Sequence, residues 1–149
     1  AHFYSEKKVI DKKMSKSYTQ HANWPKELST PYIVKASKNL FSLFNDLKSG
    51  ITATAPGFYG PQGRQLRLSS SMSNLHEKMR SFIFNSNQIT NFEMETSALY
   101  YLGQTLGHNT LTICAVIGNR TNKEYSSNYE RTVEKMINLV LKRICQEKA

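Results

Sequence analysis

Three short segments of the 149-residue chain carry side chains whose types and spacing could do chemistry. The first reads Pro56-Gly57-Phe58-Tyr59-Gly60-Pro61-Gln62-Gly63-Arg64. It holds an aromatic face, a carboxamide and a guanidinium among glycines and prolines. A primary amide presents a donor and an acceptor side by side, which matches the edge of a cyclic imide. A guanidinium beside it can stabilise negative charge building on a carbonyl oxygen. The same residues also make an ordinary turn with exposed side chains, and composition leaves both readings open. The second segment is Asn91-Phe92-Glu93-Met94-Glu95, whose carboxylates at i and i+2 share one face of an extended strand. Glu95 suits accepting hydrogen bonds from sugar hydroxyls, and equally suits the acidic position favoured at a helix N-terminus. The third is Ile117-Gly118-Asn119-Arg120-Thr121, a glycine and an arginine after an apolar run. Its Asn119-Arg120-Thr121 also matches a glycosylation acceptor, read here as coincidence.

The elements around these segments must position them. Residues 1–31 are polar and punctuated by Asn23-Trp24-Pro25 and Ser29-Thr30-Pro31, which predicts a loop or excursion. From Tyr32 to Ser49 apolar residues recur at Ile33, Ala36, Leu40, Phe44 and Leu47, a helical period ended by Gly50. Ile51 to Ala55 reads as a strand, Asn74 to Phe84 as a second helix, and Ile89 to Phe92 as a second strand. A third helix starts at Thr96, with Ala98, Leu99, Leu102 and Leu106 on one face and Gly107 at its end. Thr110 to Ile117 is almost continuously apolar, the pattern of a strand buried on both faces. Ser127 and Glu130 are spaced as a capping box before a last helix carrying Tyr129, Val133, Met136, Val140 and Ile144. Strands alternating with helices predict an α/β layered domain: a central mixed, largely parallel sheet flanked by helices. In such sheets ligands bind at the carboxyl ends of strands, and the three segments fall after three predicted strands.

Composition narrows the function classes. Lys+Arg is 20 against 11 Asp+Glu, a formal charge of +9. Nine lysines fall within the first 48 residues, yet only Lys7-Lys8 and Lys12-Lys13 are adjacent and no arginine-rich run follows. Solvated lysine faces explain this without a nucleic-acid partner. The longest apolar stretch, Ile113 to Ile117, is too short to cross a bilayer. The first residues lack the apolar core of a secretion signal, so a cytoplasmic location is expected. Cys114 and Cys145 form neither a disulfide framework nor a metal-ligand spacing, and no metal is expected.

Taken together, Phe58-Tyr59-Gly60-Pro61-Gln62-Gly63-Arg64, Asn91-Phe92-Glu93-Met94-Glu95-Thr96 and Ile113-Cys114-Ala115-Val116-Ile117-Gly118-Asn119-Arg120-Thr121 resemble the nucleoside phosphorylase family, uridine phosphorylase branch. Order and spacing agree, most strongly from Ile51 to Thr121. The resemblance implies that Phe58 packs against base and ribose, that Gln62 pairs with uracil O2 and N3–H, and that Arg64 reaches O4 with Arg120 assisting through water. It implies that Met94 and Glu95 hold the ribose hydroxyls, Glu95 chiefly the 2′-hydroxyl, and that Ile117 and Gly118 wall the base pocket. Gln62, Arg64 and Glu95 would be the catalytic set. The implied reaction is phosphorolysis of uridine or a related pyrimidine nucleoside to uracil and ribose 1-phosphate, with inorganic phosphate as co-substrate and no cofactor.

Two departures qualify the resemblance. Purine members carry an Asp where this chain has Gly118, which argues against a purine enzyme. The family's Gly-rich phosphate loop has no counterpart here, so the chain is expected to be the carboxy-terminal part of one phosphorylase-like domain, with the base and ribose half of the pocket and no turnover alone. Homo-oligomers, dimers that complete each other's sites, are implied for the intact protein. A nucleosidase using water, another nucleoside phosphorylase and a non-catalytic binding or assembly module are the competing readings.

Overall fold

In the computed structural model, which describes residues 8–146, the chain forms two compact units that divide between Leu111 and Thr112. The first is built on strand β1 (Ile51–Thr54), which pairs in parallel with β3 (Asn87–Glu93). On its other side β3 pairs antiparallel with the short β2 (Ile83–Phe84), giving a mixed three-stranded sheet in the order β1-β3-β2. Helices flank it: α1 (Lys12–His21), α2 (Lys38–Ser42), α3 (Leu75–Ser81) and α4 (Thr96–Thr105). The expected class, an α/β domain with a mixed sheet among helices, is the class observed.

Strand alternation divides the sheet chemically. Ile51, Ala53, Ile89 and Phe92 pack against a core of Met14, Tyr18 and Ala22 with Met72, Leu75, Met79 and Phe82. Between them, Thr52 faces Asn91 and Thr54 faces Glu93 across the ladder, and each pair is joined by a side-chain hydrogen bond.

Helix α1 is the main departure from the expected loop over residues 1–31, of which 1–7 lie outside the described residues. Its start is an N-cap: Asp11 Oδ1 accepts from the Met14 amide at 2.9 Å, and the same carboxylate meets Lys35 Nζ at 2.8 Å. Those two partners hold the Asp11 carboxyl below its usual range. Met14, Tyr18 and Ala22 then recur every fourth residue and are all buried. Three apolar positions in an otherwise polar stretch are enough to seat one helix face.

The helix expected over 32–49 shrinks to the five residues of α2. The backbone of Ile33 is engaged elsewhere. Its carbonyl accepts from Asp11 N at 2.8 Å, its amide donates to Ser15 Oγ at 2.9 Å, and Val34 bridges to Ile10. Helix α4 forms where expected but turns another face inward. Thr96, Tyr100 and Tyr101 are buried, Tyr101 packing edge-on to Tyr32, while Leu99, Leu102 and Leu106 are exposed. Periodicity marks a helix; when two stripes overlap, the neighbours decide which one packs.

The buried strand expected over 110–117 does not form. Thr110 is anchored by Ser37, whose Oγ accepts the Thr110 amide at 2.7 Å. Beyond it the chain joins no ladder, and Val116 and Ile117 are exposed. An apolar run becomes a strand only where another strand offers its hydrogen bonds.

The second unit holds a small hairpin, β4 (Gly118–Asn119) with β5 (Glu124–Tyr125), and the helix α5 (Tyr129–Gln146). Helix α5 begins at Tyr129, two residues after Ser127. None of its residues is buried.

Tyr18 supplies a test of the core. Burial pushes its phenol up to about 12, and its hydroxyl is sealed from solvent without a hydrogen-bond partner. Tyr18→Phe is therefore expected to stabilise the protein by roughly 1 kcal/mol, the cost of an unmet buried polar group. A rise in the urea midpoint at unchanged slope checks this; a fall would mean the hydroxyl is satisfied.

Candidate functional site

Because β1 and β3 are parallel, their carboxyl ends open on one edge of the sheet, and the first two segments leave from that edge. The ladder extends one residue further, Ala55 N donating to Glu93 O at 2.9 Å, before Pro56 and Gly57 turn the chain away.

The turn after β1 is wound tightly. A one-turn 3-10 helix spans Gly60–Gln62, and Gly63 closes it in the left-handed region at φ 71°. The Tyr59 carbonyl accepts from Gln62 N at 3.2 Å and from Arg64 N at 2.9 Å. This winding sets three side chains against one another. The Arg64 guanidinium lies over the Phe58 ring, 3.6 Å from its centroid. Its Nη1 donates to Gln62 Oε1 at 2.5 Å and also to the Phe58 carbonyl. Phe58 is 53% exposed, whereas Gln62 is only 5% exposed. The expected ordinary exposed turn is therefore only half right: the aromatic is outside, the carboxamide inside. Cation–π contact and a charge-assisted hydrogen bond hold the guanidinium where its remaining N–H groups can meet an acceptor.

After β3 the two carboxylates separate in role. Glu93 Oε2 accepts from Glu95 N at 2.7 Å and Thr96 N at 2.6 Å, and Oε1 accepts from the Thr54 hydroxyl. Thr54 Oγ1 in turn accepts from Ser97 N at 2.9 Å. Successive amides at the start of α4 are thus satisfied by one strand-end pair, and the helix-terminus role open to Glu95 belongs to Glu93. Burial alone would raise the Glu93 carboxyl, but Thr54 and the two amides outweigh it and hold the carboxyl below its ordinary range. Glu95 is exposed and makes no cap hydrogen bond through its side chain, and Met94 is half-buried between them. Sequence reasoning did not single out Thr54 or the capping role of Glu93. The signal was present in the register, since Thr and Glu could face each other only if the strands were parallel and paired at their ends.

Ile117, Gly118 and Arg120 lie in the second unit. There Gly118 and Asn119 form β4, and Arg120 begins the hairpin turn rather than following a buried strand. Asn119 Oδ1 accepts from Thr121 N at 3.0 Å and Asn122 N at 3.3 Å, so this side chain builds the turn. Gly118 lies flat under Tyr125, whose ring carbons would sit 3.1–3.2 Å from an added Cβ.

In the first unit an open cleft of about 470 Å³ adjoins the Gln62 turn, lined by Gly63, Gln65, Ser70, Asn74 and His76 among others. Among the described residues no group of three His, Cys, Asp or Glu side chains is placed to hold a metal ion, and no helix is long and apolar enough to cross a membrane.

The chain as a whole is similar to known proteins. Residues 7–145 match the profile of the Phosphorylase superfamily. The chain belongs to that superfamily. It is also similar to a uridine phosphorylase of Thermococcus kodakarensis (strain ATCC BAA-918 / JCM 12380 / KOD1), with 35% identity over 85 residues. That alignment covers 55% of this chain and 29% of the relative, so the match spans less than a third of the curated protein. No solved structure gives a significant match.

The superfamily chain's strand-end junction predicts an acid sensitivity. A carboxyl lowered by folding contributes stability above the ordinary glutamate range and loses it as the pH falls through that range towards the folded value. Glu93→Gln is expected to cost about 1 kcal/mol at neutral pH, the usual scale of a lost helix cap. It should also flatten the decline in stability on acidification below about pH 5. Denaturant unfolding across the pH series checks both. An unchanged acid limb would assign the capping energy to groups other than the Glu93 charge.

Proposed function

We propose that this chain carries the base- and ribose-recognition half of a pyrimidine nucleoside phosphorylase acting on uridine. The observation that carries the reading is the linked set Phe58, Gln62 and Arg64 at the end of β1, with Met94 and Glu95 at the end of the strand paired to it. A carboxamide oxygen has two lone pairs, so Gln62 Oε1 can keep Arg64 and still accept N3–H, while its amino group donates to O2. Arg64 donates to O4 through N–H groups not spent on Gln62. Exposed Glu95 accepts from the ribose 2′-hydroxyl, beside half-buried Met94. In phosphorolysis the glycosidic bond breaks towards a cationic sugar as uracil leaves with negative charge. Donors fixed on O2 and O4 therefore bind the transition state more tightly than the ground state. The attacking phosphate needs convergent donors of its own. With Arg64 and Arg120 given to the base by the resemblance, the remaining arginines of the described residues, 67, 80, 131 and 143, are spread along the sequence. The reading of this chain is thus one of nucleoside binding. The similarity to a uridine phosphorylase supports it, as does the chain's membership of the superfamily.

Titration calorimetry with uridine, deoxyuridine and uracil tests it. Gln62→Ala should weaken all three by about 1–3 kcal/mol, the scale of an unmet polar contact. Because Gln62 is buried, the variant should also lose some stability. Glu95→Gln should weaken uridine more than deoxyuridine, which lacks the 2′-hydroxyl, and leave uracil unchanged. Equal losses for the two nucleosides would remove Glu95 from the ribose contact, and a wild-type chain that binds none of the three would remove the reading.

A further inference from the structure

The geometry points to His76 as a positioning residue that clamps the base-reading turn to the strand that leads into the ribose-reading residues, an inference that rests on the nucleoside-binding reading above. His76 is the second residue of α3 and lies outside every segment so far assigned to recognition. Two of its contacts bear on the candidate site. On one side its Nε2 lies only 2.8 Å from where a Cβ on Gly63 would project, with Cδ2 at 3.3 Å and Cε1 at 3.5 Å. The imidazole is thus seated in the space that the missing side chain of Gly63 leaves open. Gly63 separates Gln62 from Arg64. On the other side the same ring meets Phe92 edge-on, with centroids 5.5 Å apart and planes at 67°. Phe92 immediately precedes Glu93, the last residue of β3, which Met94 and Glu95 follow.

One ring therefore bridges the two strand-end segments, from a helix that is itself anchored in the core through Leu75 and Met79. Gln62 and Arg64 grip one end of a nucleoside and Glu95 the other, so affinity for the whole molecule depends on the spacing between them. A ligand that touches only the turn depends on that spacing far less. Gly63 is doubly constrained: its φ of 71° disfavours a side chain, and the imidazole fills the place one would take. The two constraints separate experimentally, because removing His76 relieves the second and leaves the first.

The test uses the full chain and two independent readouts. By calorimetry, His76→Ala is expected to weaken uridine about tenfold and uracil by no more than about threefold, the signature of lost alignment rather than lost contact. His76→Phe, which keeps a flat ring against Gly63 and Phe92, should restore the uridine affinity to within about threefold of wild type. By thermal melting, Gly63→Ala should lower Tm by several degrees, and by about half as much when His76 is already Ala. Equal weakening of uridine and uracil in His76→Ala, or no weakening of either, would overturn the alignment role. A Gly63→Ala penalty that is the same with and without His76 would overturn the clamp. A wild-type chain that binds neither ligand would remove the functional reading and this role with it, whereas the melting cycle reports on the clamp whatever the ligand results.

Discussion

Parallel pairing of β1 with β3, closed at its carboxyl end by the Glu93 carboxylate, is the constraint from which the first unit is organised. The start of a helix leaves several amides without partners, and a strand that runs directly into a helix has no loop in which to hide them. Here the last residue of β3 turns its own side chain back onto the amides of Glu95 and Thr96, while Thr54 from the neighbouring strand takes the amide of Ser97. The Thr54 hydroxyl hydrogen goes to the same carboxylate. Sheet edge and helix start are thus one hydrogen-bonded object. The path of Met94 and Glu95 is set by it, and with that path the position from which Glu95 can reach a ligand.

On the neighbouring strand the polar groups are organised by one another. Arg64 is stacked on Phe58 and bonded to Gln62 and to the Phe58 backbone, so a cation that would otherwise wander in solvent is held beside a buried carboxamide. Ordering such side chains in advance lowers the entropic cost of binding. Gln62 shows the other side of this arrangement. A buried amide needs its partners whether or not a ligand is present, so the residue proposed to read a base edge also contributes to the stability of the turn.

The positive charge has a more local meaning than its total suggests. Lys35 of the lysine-rich amino-terminal third is spent on Asp11, where the ion pair and the N-cap together fix the start of α1. That helix supplies Met14, Tyr18 and Ala22 to the core beneath the sheet. A stretch that reads as polar excursion is therefore part of what supports the site.

The sequence by itself determined the strands β1 and β3, the helices α3 and α4, the α/β class and the segments proposed for recognition, because each of these follows from short-range periodicity and turn chemistry. The resemblance carried by Phe58, Gln62, Arg64, Met94 and Glu95 was legible for the same reason: it lies in contiguous runs. What only the tertiary structure decided was which of several locally acceptable arrangements found partners. Residues 32–37 have a helical pattern yet form no helix, since Ile33 bonds to Asp11 and Ser15. The apolar run 110–117 has the composition of a buried strand yet forms none, since no strand among the described residues pairs with it. Of two carboxylates expected on one strand face, register placed Glu93 opposite Thr54, while the strand ends there and leaves Glu95 beyond it, exposed. Periodicity reports what a segment can bury; hydrogen-bond partners distant in sequence decide what it does bury, and those are fixed only when the chain is folded.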